Sequence, residues 1–173
     1  VEVTYGPDED KETGDLKRHV HIELDPFDPK SPTKSWKVAA LMELLEERRG
    51  RQTIVCAPSR QLMDIACAAA AKAGLKVGYV VGGQSAGART ADIDAFQAHQ
   101  LDAIFVTTQA GGVGITLTAA DAVVFLQRPW ALDESIQMED RAHRVGADHE
   151  SIQIIDIVAR KTIDQRRRDA LRG

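Results

Sequence analysis

The sequence has few cysteines, and the two it has are not arranged to bind a metal. Cys56 and Cys67 have no CxxC spacing and no clustered histidines, which argues against a structural zinc site. Each lies in an apolar stretch, so we expect buried thiols in a reducing intracellular compartment, cytoplasm or nucleus depending on the organism. No apolar run approaches the length of a membrane span, and no signal-peptide pattern is present.

A surplus of positive charge is also missing. The chain has 22 Lys and Arg against 26 Asp and Glu, a formal net charge of -4. This balance excludes a surface coated in cations, so contacts with nucleic acid are expected only from a few placed loops. Hydrophobic residues make up 43% of the chain, which is enough for the core of one domain. Because the sequence begins with Val1 rather than Met, we expect it to be a piece of a longer protein.

Five short apolar stretches alternate with helical ones along most of the chain. Such alternation predicts an α/β fold, with a mainly parallel sheet covered by helices on both faces. The predicted strands are residues 53–57, 76–81, 103–106, 122–126 and 151–158.

Residues 1–33 differ from the rest of the chain. Their apolar residues alternate in 1–5 and again in 20–24, which predicts a hairpin with a long loop. Three closely spaced prolines then mark an extended entry segment. We therefore divide the chain into a leader or insertion, residues 1–33, and a main domain, residues 34–173.

A helix predicted at the end of the fourth strand–helix unit carries a polar stripe. Gln137, Arg141 and Arg144 are spaced four and three apart, so they project from one side. Two guanidinium groups on one stripe suit the negative charge of a phosphoryl group. The alternative is a solvated face on which Asp140 and Arg144 form an ordinary ion pair.

A glycine-rich stretch, Thr107 to Gly114, follows the third predicted strand. Its three glycines let backbone N–H groups approach an anion, although a purely structural turn is the alternative. The stretch is not the dinucleotide fingerprint, because Leu117 occupies the third glycine position. It is not a P-loop either, because no Gly-Lys-Ser/Thr occurs in the chain.

Three further features are expected to be structural. Trp130 is expected to pack over the start of the arginine helix, with stacking on a base as the less favoured alternative. His143 lies off the arginine stripe and is not expected to be catalytic. The Asp-Glu pairs at 8–9 and 133–134 do not end an apolar strand, so neither is a magnesium motif, and no metal ligands are predicted.

Several motifs occur together along the chain: Gly82 or Gly83 with Arg89 and Phe96, Thr107 to Leu117, Ala119-Ala120-Asp121, Trp130, and Gln137 to Ala147. In this order and spacing they resemble the C-terminal RecA-like lobe of Swi/Snf-type superfamily 2 DNA-dependent ATPases and helicases. The resemblance covers Lys34 to about Arg168. Three residues depart from the family pattern: Gln109 replaces Arg, Thr116 replaces Asn and Ala147 replaces Gln.

The resemblance implies a role for each matching residue. Arg141 and Arg144 would be arginine fingers that reach the γ-phosphate of ATP, positioned by Gln137. Gly112, Gly114 and Asp140 would couple DNA binding to the nucleotide. Contacts with the DNA backbone fall to Ser59, Arg60, Thr107, Thr108, Gln109 and Gly111.

The resemblance implies that the chain is one half of an ATP-driven DNA translocase or helicase. The isolated chain is expected to be inactive, and the protein is expected to be a monomer. ATP and Mg²⁺ would be bound mainly by an N-terminal lobe of the same polypeptide, with none tightly bound here, and duplex DNA would be the other partner. The alternative is a stand-alone module that binds nucleic acid or a protein partner without motor activity. An RNA helicase fits the motif details less well.

Overall fold

The computed structural model describes residues 2–6, 16–24, 36–110, 115–142 and 151–159, together with Arg166 and Ala170. Residues 162–171, whose sequence predicts a closing basic helix, lie almost entirely outside these residues. None of the helices described is long and apolar enough to cross a membrane. The elements are β1 (Glu2–Gly6), β2 (Leu16–Leu24), α1 (Trp36–Glu47), β3 (Thr53–Ala57), α2 (Arg60–Lys72), β4 (Val77–Val80), α3 (Ala86–Gln97), β5 (Ala103–Thr107), β6 (Ala122–Phe125), α4 (Leu132–Ala142) and β7 (Ser151–Ala159).

The strands form one sheet in the order β1-β2-β7-β6-β3-β5-β4. All neighbouring strands are parallel except β1 and β2, which pair antiparallel. The predicted mainly parallel sheet is therefore confirmed, and β3 to β7 are its five predicted strands. β2 pairs with β7 over nine residues, from Leu16–Ser151 to Leu24–Ala159. Part of the leader thus lies in the same sheet as the main domain, while the boundary at residue 33 stays a prediction.

Side chains of the central strands alternate between two separate cores. In β3, Val55 shares a core with residues of α1 and α2, whereas the preceding Ile54 shares one with residues of α3 and α4. In β5, Phe105 and Ile104 divide in the same way. This alternation follows from the two-residue period of a strand, and it produces three layers, helices–sheet–helices.

Helix α2 begins and ends where local sequence requires. The Ser59 hydroxyl accepts a hydrogen bond from the Leu62 amide at 3.3 Å and caps the helix. Gly74 follows the helix with φ of +83°, the left-handed conformation that favours glycine at the end of a helix. These signals place the start of α2 directly at the carboxyl end of β3, the edge where ligands bind in open parallel sheets.

The two cysteines lie in the sheet and in α2. Cys56 is fully buried in β3, and Cys67 in α2 is half-buried. Burial, with Asp64 and Asp92 nearby, raises the pKa of Cys67 to about 11. Both side chains are therefore protonated thiols at neutral pH.

Two glycine-to-alanine changes should have opposite effects on stability. Gly74→Ala places a Cβ on a left-handed residue and should lower the free energy of unfolding by about 1–2 kcal/mol. Gly87→Ala, in the first turn of α3 with open space around its Cα, should raise it by roughly 0.5–1 kcal/mol. Urea unfolding followed by circular dichroism measures both. A loss of stability in both variants would contradict the assigned backbone conformations.

Candidate functional site

Strands β3, β5 and β6 deliver three chain segments to one edge of the sheet. The Thr108 amide donates to the carbonyl of Ala57 at 3.1 Å, and the Leu126 amide donates to the carbonyl of Cys56 at 3.0 Å. These bonds continue the sheet past its formal ends. Residues that follow the three strands therefore lie side by side, as expected for the ligand edge of a parallel sheet.

Arg128, just after β6, is the centre of a buried ionic cluster. Its guanidinium donates from Nε and Nη2 to the two carboxylate oxygens of Asp156 in β7, at 2.6 and 3.0 Å. Nη1 donates to Glu139 of α4 at 3.0 Å. The guanidinium also lies 3.7 Å from the centre of the Phe125 ring. One side chain thus joins β6, β7 and α4.

The electrostatics of this cluster favour a permanently charged arginine. Burial acts to lower the pKa of Arg128, but Asp156 and Glu139 outweigh it, and the net pKa is raised. A paired guanidinium–carboxylate contact also fixes direction, because both groups are planar. The cluster therefore orients α4 on the sheet.

Sequence reasoning did not identify this cluster. The available signal was Asp156, an acidic residue within the apolar run Ile-Ile-Asp-Ile-Val of β7. Buried carboxylates require a partner, so a search for an arginine at a neighbouring strand end would have found Arg128.

Arg141, in the last turn of α4, is 5% exposed. Its Nη1 donates to the carbonyl of Ile115 at 3.1 Å, and its own carbonyl accepts from the Leu117 amide at 3.1 Å. One turn earlier, Gln137 is exposed. Gln137 and Arg141, the described members of the predicted stripe, therefore lie at the border between solvent and the segment that begins at Ile115.

Of the other residues predicted to contact or couple to the nucleotide, only Asp140 is among the described residues. Asp140 is exposed on α4. Arg144, Gly112 and Gly114 lie outside the described residues, as does Gly111 of the DNA-contact set.

The predicted DNA-contact residues that are described come together at the carboxyl edge. Arg60 donates from Nη1 to the carbonyl of Gly82 at 2.8 Å, while Ser59 caps α2. Thr107 and Thr108 are each 6% exposed, and the buried Thr108 hydroxyl has no hydrogen-bond partner within the described structure. Gln109, the next residue, is exposed. Gln109 and Arg60 are thus the long polar side chains of this set that face solvent.

The expectation that Trp130 packs into the protein is wrong. Its side chain is 57% exposed, and Leu132 and Ile136 nearby are 50% and 43% exposed. In the same turn Pro129 is buried, and the Arg128 guanidinium rather than Trp130 lies over the Phe125 ring.

A second buried arginine lies at the opposite edge of the sheet. Arg48 pairs with Asp121 and donates from Nε to the Thr53 hydroxyl at 2.9 Å. Burial lowers the pKa of Arg48, and Asp121 partly offsets this effect. Asp121 of the Ala-Ala-Asp motif therefore joins the end of α1 to the amino ends of the strands.

The chain matches a known protein family over most of the described domain. The family described as "Helicase conserved C-terminal domain" matches residues 36–146. The match includes α1, the glycine-rich stretch and α4.

Individual relatives are much longer than this chain. It is 32% identical over 154 residues to "Chromatin-remodeling ATPase INO80" of Emericella nidulans, covering 86% of the chain and 9% of that protein. It is 30% identical over 143 residues to "Lymphoid-specific helicase" of Homo sapiens, covering 81% and 17%. It is 26% identical over 156 residues to "Protein CHROMATIN REMODELING 24" of Arabidopsis thaliana, covering 87% and 14%. The chain therefore spans less than a fifth of each.

A solved structure has the same fold. The crystal structure of the C-terminal part of the Fun30 ATPase domain superposes with a TM-score of 0.73 at 24% sequence identity. The likeness covers 80% of this chain and 45% of that one. The predicted RecA-like three-layer fold is thereby confirmed.

Replacing Arg128 should destabilise the domain strongly. Arg128→Met leaves Asp156 and Glu139 buried without a cation, which should cost about 3–5 kcal/mol of unfolding free energy. Chemical denaturation measures the loss. The matched control is Arg49→Ala, which breaks only exposed contacts, the pair with Glu46 and the bonds to the carbonyls of Ala73 and Gly74, and should lower the free energy of unfolding far less than Arg128→Met does. Equal effects of the two changes would contradict the anchoring role of Arg128.

Proposed function

We propose, from the premise that the chain belongs to the helicase conserved C-terminal domain family, that it is the C-terminal lobe of an ATP-driven DNA translocase or helicase. The Swi/Snf type inferred from the motifs is confirmed, because the relatives include chromatin-remodeling ATPases matched over most of the chain. In the proposal, an N-terminal lobe of the same polypeptide completes the ATPase, and the complete protein acts inside the cell as a monomer.

One observation carries the proposal. Arg141 bonds to Ile115 and Leu117, so helix α4 and the segment after the glycine-rich stretch are joined by side chain and backbone together. A shift of DNA against the glycine-rich stretch would therefore be transmitted to α4. Such a link between two sites is what coupling of DNA binding to ATP hydrolysis requires.

Arg141 and Arg144 are proposed as the arginine fingers, with Gln137 positioning them and Asp140, Gly112 and Gly114 coupling them to DNA. Support comes from the Arg128 cluster, which fixes the direction of α4, and from the motif spacing. Arginine fingers are worth roughly 10³ to 10⁵ in the rate of related phosphoryl transfers. Most of the rate would therefore depend on the approach of this lobe to the other.

The residues of this chain fit a partial role in binding ATP and Mg²⁺. The sequence has no Gly-Lys-Ser/Thr loop, and the described residues include no group of three or more potential metal ligands. The buried carboxylates at the site edge, Asp156 and Glu139, are engaged by Arg128. The other lobe is therefore proposed to hold the phosphates and the ion, and this chain to supply cationic donors to the γ-phosphoryl group.

Contacts with the backbone of duplex DNA are proposed for residues at and just after the carboxyl ends of β3 and β5. Their convergence on one edge supports this, as does the exposure of Arg60 and Gln109. Contacts of this kind hold a duplex without reading its sequence. The proposed DNA-binding residues are Ser59, Arg60, Thr107, Thr108, Gln109 and Gly111.

The ATPase assay tests the proposal directly. This chain alone should not hydrolyse ATP, with or without DNA, because it lacks the phosphate-binding loop. The complete polypeptide should show DNA-stimulated hydrolysis, and Arg144→Ala there should lower kcat by about 10³-fold or more while sparing most ATP binding.

Two results would contradict this assignment. Robust DNA-stimulated turnover by the isolated chain would exclude the half-site proposal. DNA binding by the complete polypeptide without any ATP hydrolysis would favour the alternative, a nucleic-acid-binding module. Arg49→Ala changes a residue far from the carboxyl edge of the sheet, so it serves as the control variant and should hydrolyse ATP at the wild-type rate.

Adding a cation at Gln109 should strengthen DNA binding in a salt-dependent way. Gln109→Arg should tighten binding of duplex DNA and steepen the slope of log K against log salt by about 0.9, the effect of one further phosphate contact. Fluorescence anisotropy over a series of KCl concentrations measures the slope.

The matched control lies at the other end of the same strand. Gln100 precedes β5 and Gln109 follows it, and both are exposed. The five residues of β5 span roughly 17 Å, whereas salt screens charges beyond about 10 Å at 0.1 M. Gln100→Arg should therefore change the slope little, and equal changes from both arginines would place the DNA elsewhere.

A further inference from the structure

Two arginines from two helices hold the described residues that border positions 111–114, the glycine-containing part of the stretch. Arg89 of α3 donates from Nη2 to the carbonyl of Ala110 at 2.7 Å. Arg141 of α4 donates from Nη1 to the carbonyl of Ile115 at 3.1 Å. The first carbonyl lies on the entering side, next to Thr107–Gln109, and the second lies on the leaving side. Ala110 and Ile115, the described residues on either side of 111–114, are thus each held by a different helix.

The location of Arg89 is not explained by the stability of its own helix. It is the fourth residue of α3, which Ser85 caps and which has no acidic residue in its first turn. A cation near a helix amino terminus opposes the helix dipole, so this position is unfavourable for arginine. Side chains in helices also point back toward the amino terminus, which directs Arg89 toward the loop edge. The bond to Ala110 is the contact that accounts for an arginine here.

The two anchors differ in what they adjoin. Arg89 holds the flank that includes the proposed DNA-contact residues and is only partly buried. Arg141 is buried and belongs to the helix of the proposed arginine fingers. Loss of Arg89 should therefore disturb the response to DNA, whereas loss of Arg141 should disturb both the response to DNA and ATP hydrolysis.

We propose that Arg89 is a positioning residue for DNA engagement, which acts by holding the Ala110 carbonyl and touches neither nucleotide nor phosphate. The inference rests on the proposed function, since it assigns Arg89 to the DNA side of that site. A charged donor with a short bond to a carbonyl is a strong anchor, and its loss frees the backbone that presents Thr108 and Gln109.

The test measures ATP hydrolysis by the complete polypeptide against duplex DNA concentration. Arg89→Ala should raise the DNA concentration for half-maximal stimulation by about tenfold, in line with loss of one charge-assisted hydrogen bond. The DNA-free rate should change less than twofold. Arg89→Lys should recover part of the loss, because an ammonium group can still donate one bond. Thr90→Ala, the exposed neighbour on α3, should match the wild type.

A second measurement separates this inference from the proposed function. In this chain alone, amide hydrogen exchange across residues 107–110 should be faster in Arg89→Ala than in the wild type and in Thr90→Ala. Unchanged exchange, or unchanged DNA dependence, would overturn the role of Arg89 and leave the proposed function standing. If Arg89→Ala loses the DNA-free and DNA-stimulated rates equally, the role of Arg89 is also overturned. If Arg89→Ala does not fold, the same comparison is made with Arg89→Lys. A wild-type protein without DNA-stimulated hydrolysis would overturn the proposed function and this inference together.

Discussion

The paired hydrogen bonds from Arg128 to Asp156, with the third to Glu139, determine where helix α4 lies on the sheet. Buried charges of this kind are costly unless fully paired, so the arrangement tolerates few alternatives. The cluster mainly fixes the orientation of α4. Apolar contacts alone would let the helix slide over the sheet, whereas the planar guanidinium of Arg128 can bond to both carboxylates in only one arrangement. Everything proposed for Gln137 and Arg141 depends on that fixed direction.

The organisation of the sheet was predictable because it depends on local patterns. Period-two burial in β3 and β5, the serine cap at Ser59 and the left-handed Gly74 all follow from neighbouring residues. The Arg128–Asp156 pair joins residues 28 apart, and no local period reports such a contact. The pairing of β2 with β7 joins residues still further apart, and the prolines between them suggested a boundary rather than a shared sheet.

The candidate site was predictable in its members but not in their surroundings. Helical spacing put Gln137 and Arg141 on neighbouring turns, yet it could not indicate that one would be exposed and the other buried against Ile115. The prediction for Trp130 was wrong because a large aromatic ring is usually buried, whereas this one is 57% exposed. The roles of Ser59, Arg60 and the two threonines at the carboxyl end of β5 stay predictions, supported by their convergence at one edge.

The most direct test of the account is a structure of the complete polypeptide with duplex DNA and a transition-state analogue of ATP. The quantity to measure is the distance from the guanidinium groups of Arg141 and Arg144 to the analogue of the γ-phosphoryl group. If these arginines are the fingers, at least one guanidinium–oxygen distance will be about 3 Å, as in other charge-assisted hydrogen bonds. A closed, DNA-bound structure in which neither arginine contacts the phosphoryl analogue would contradict that assignment.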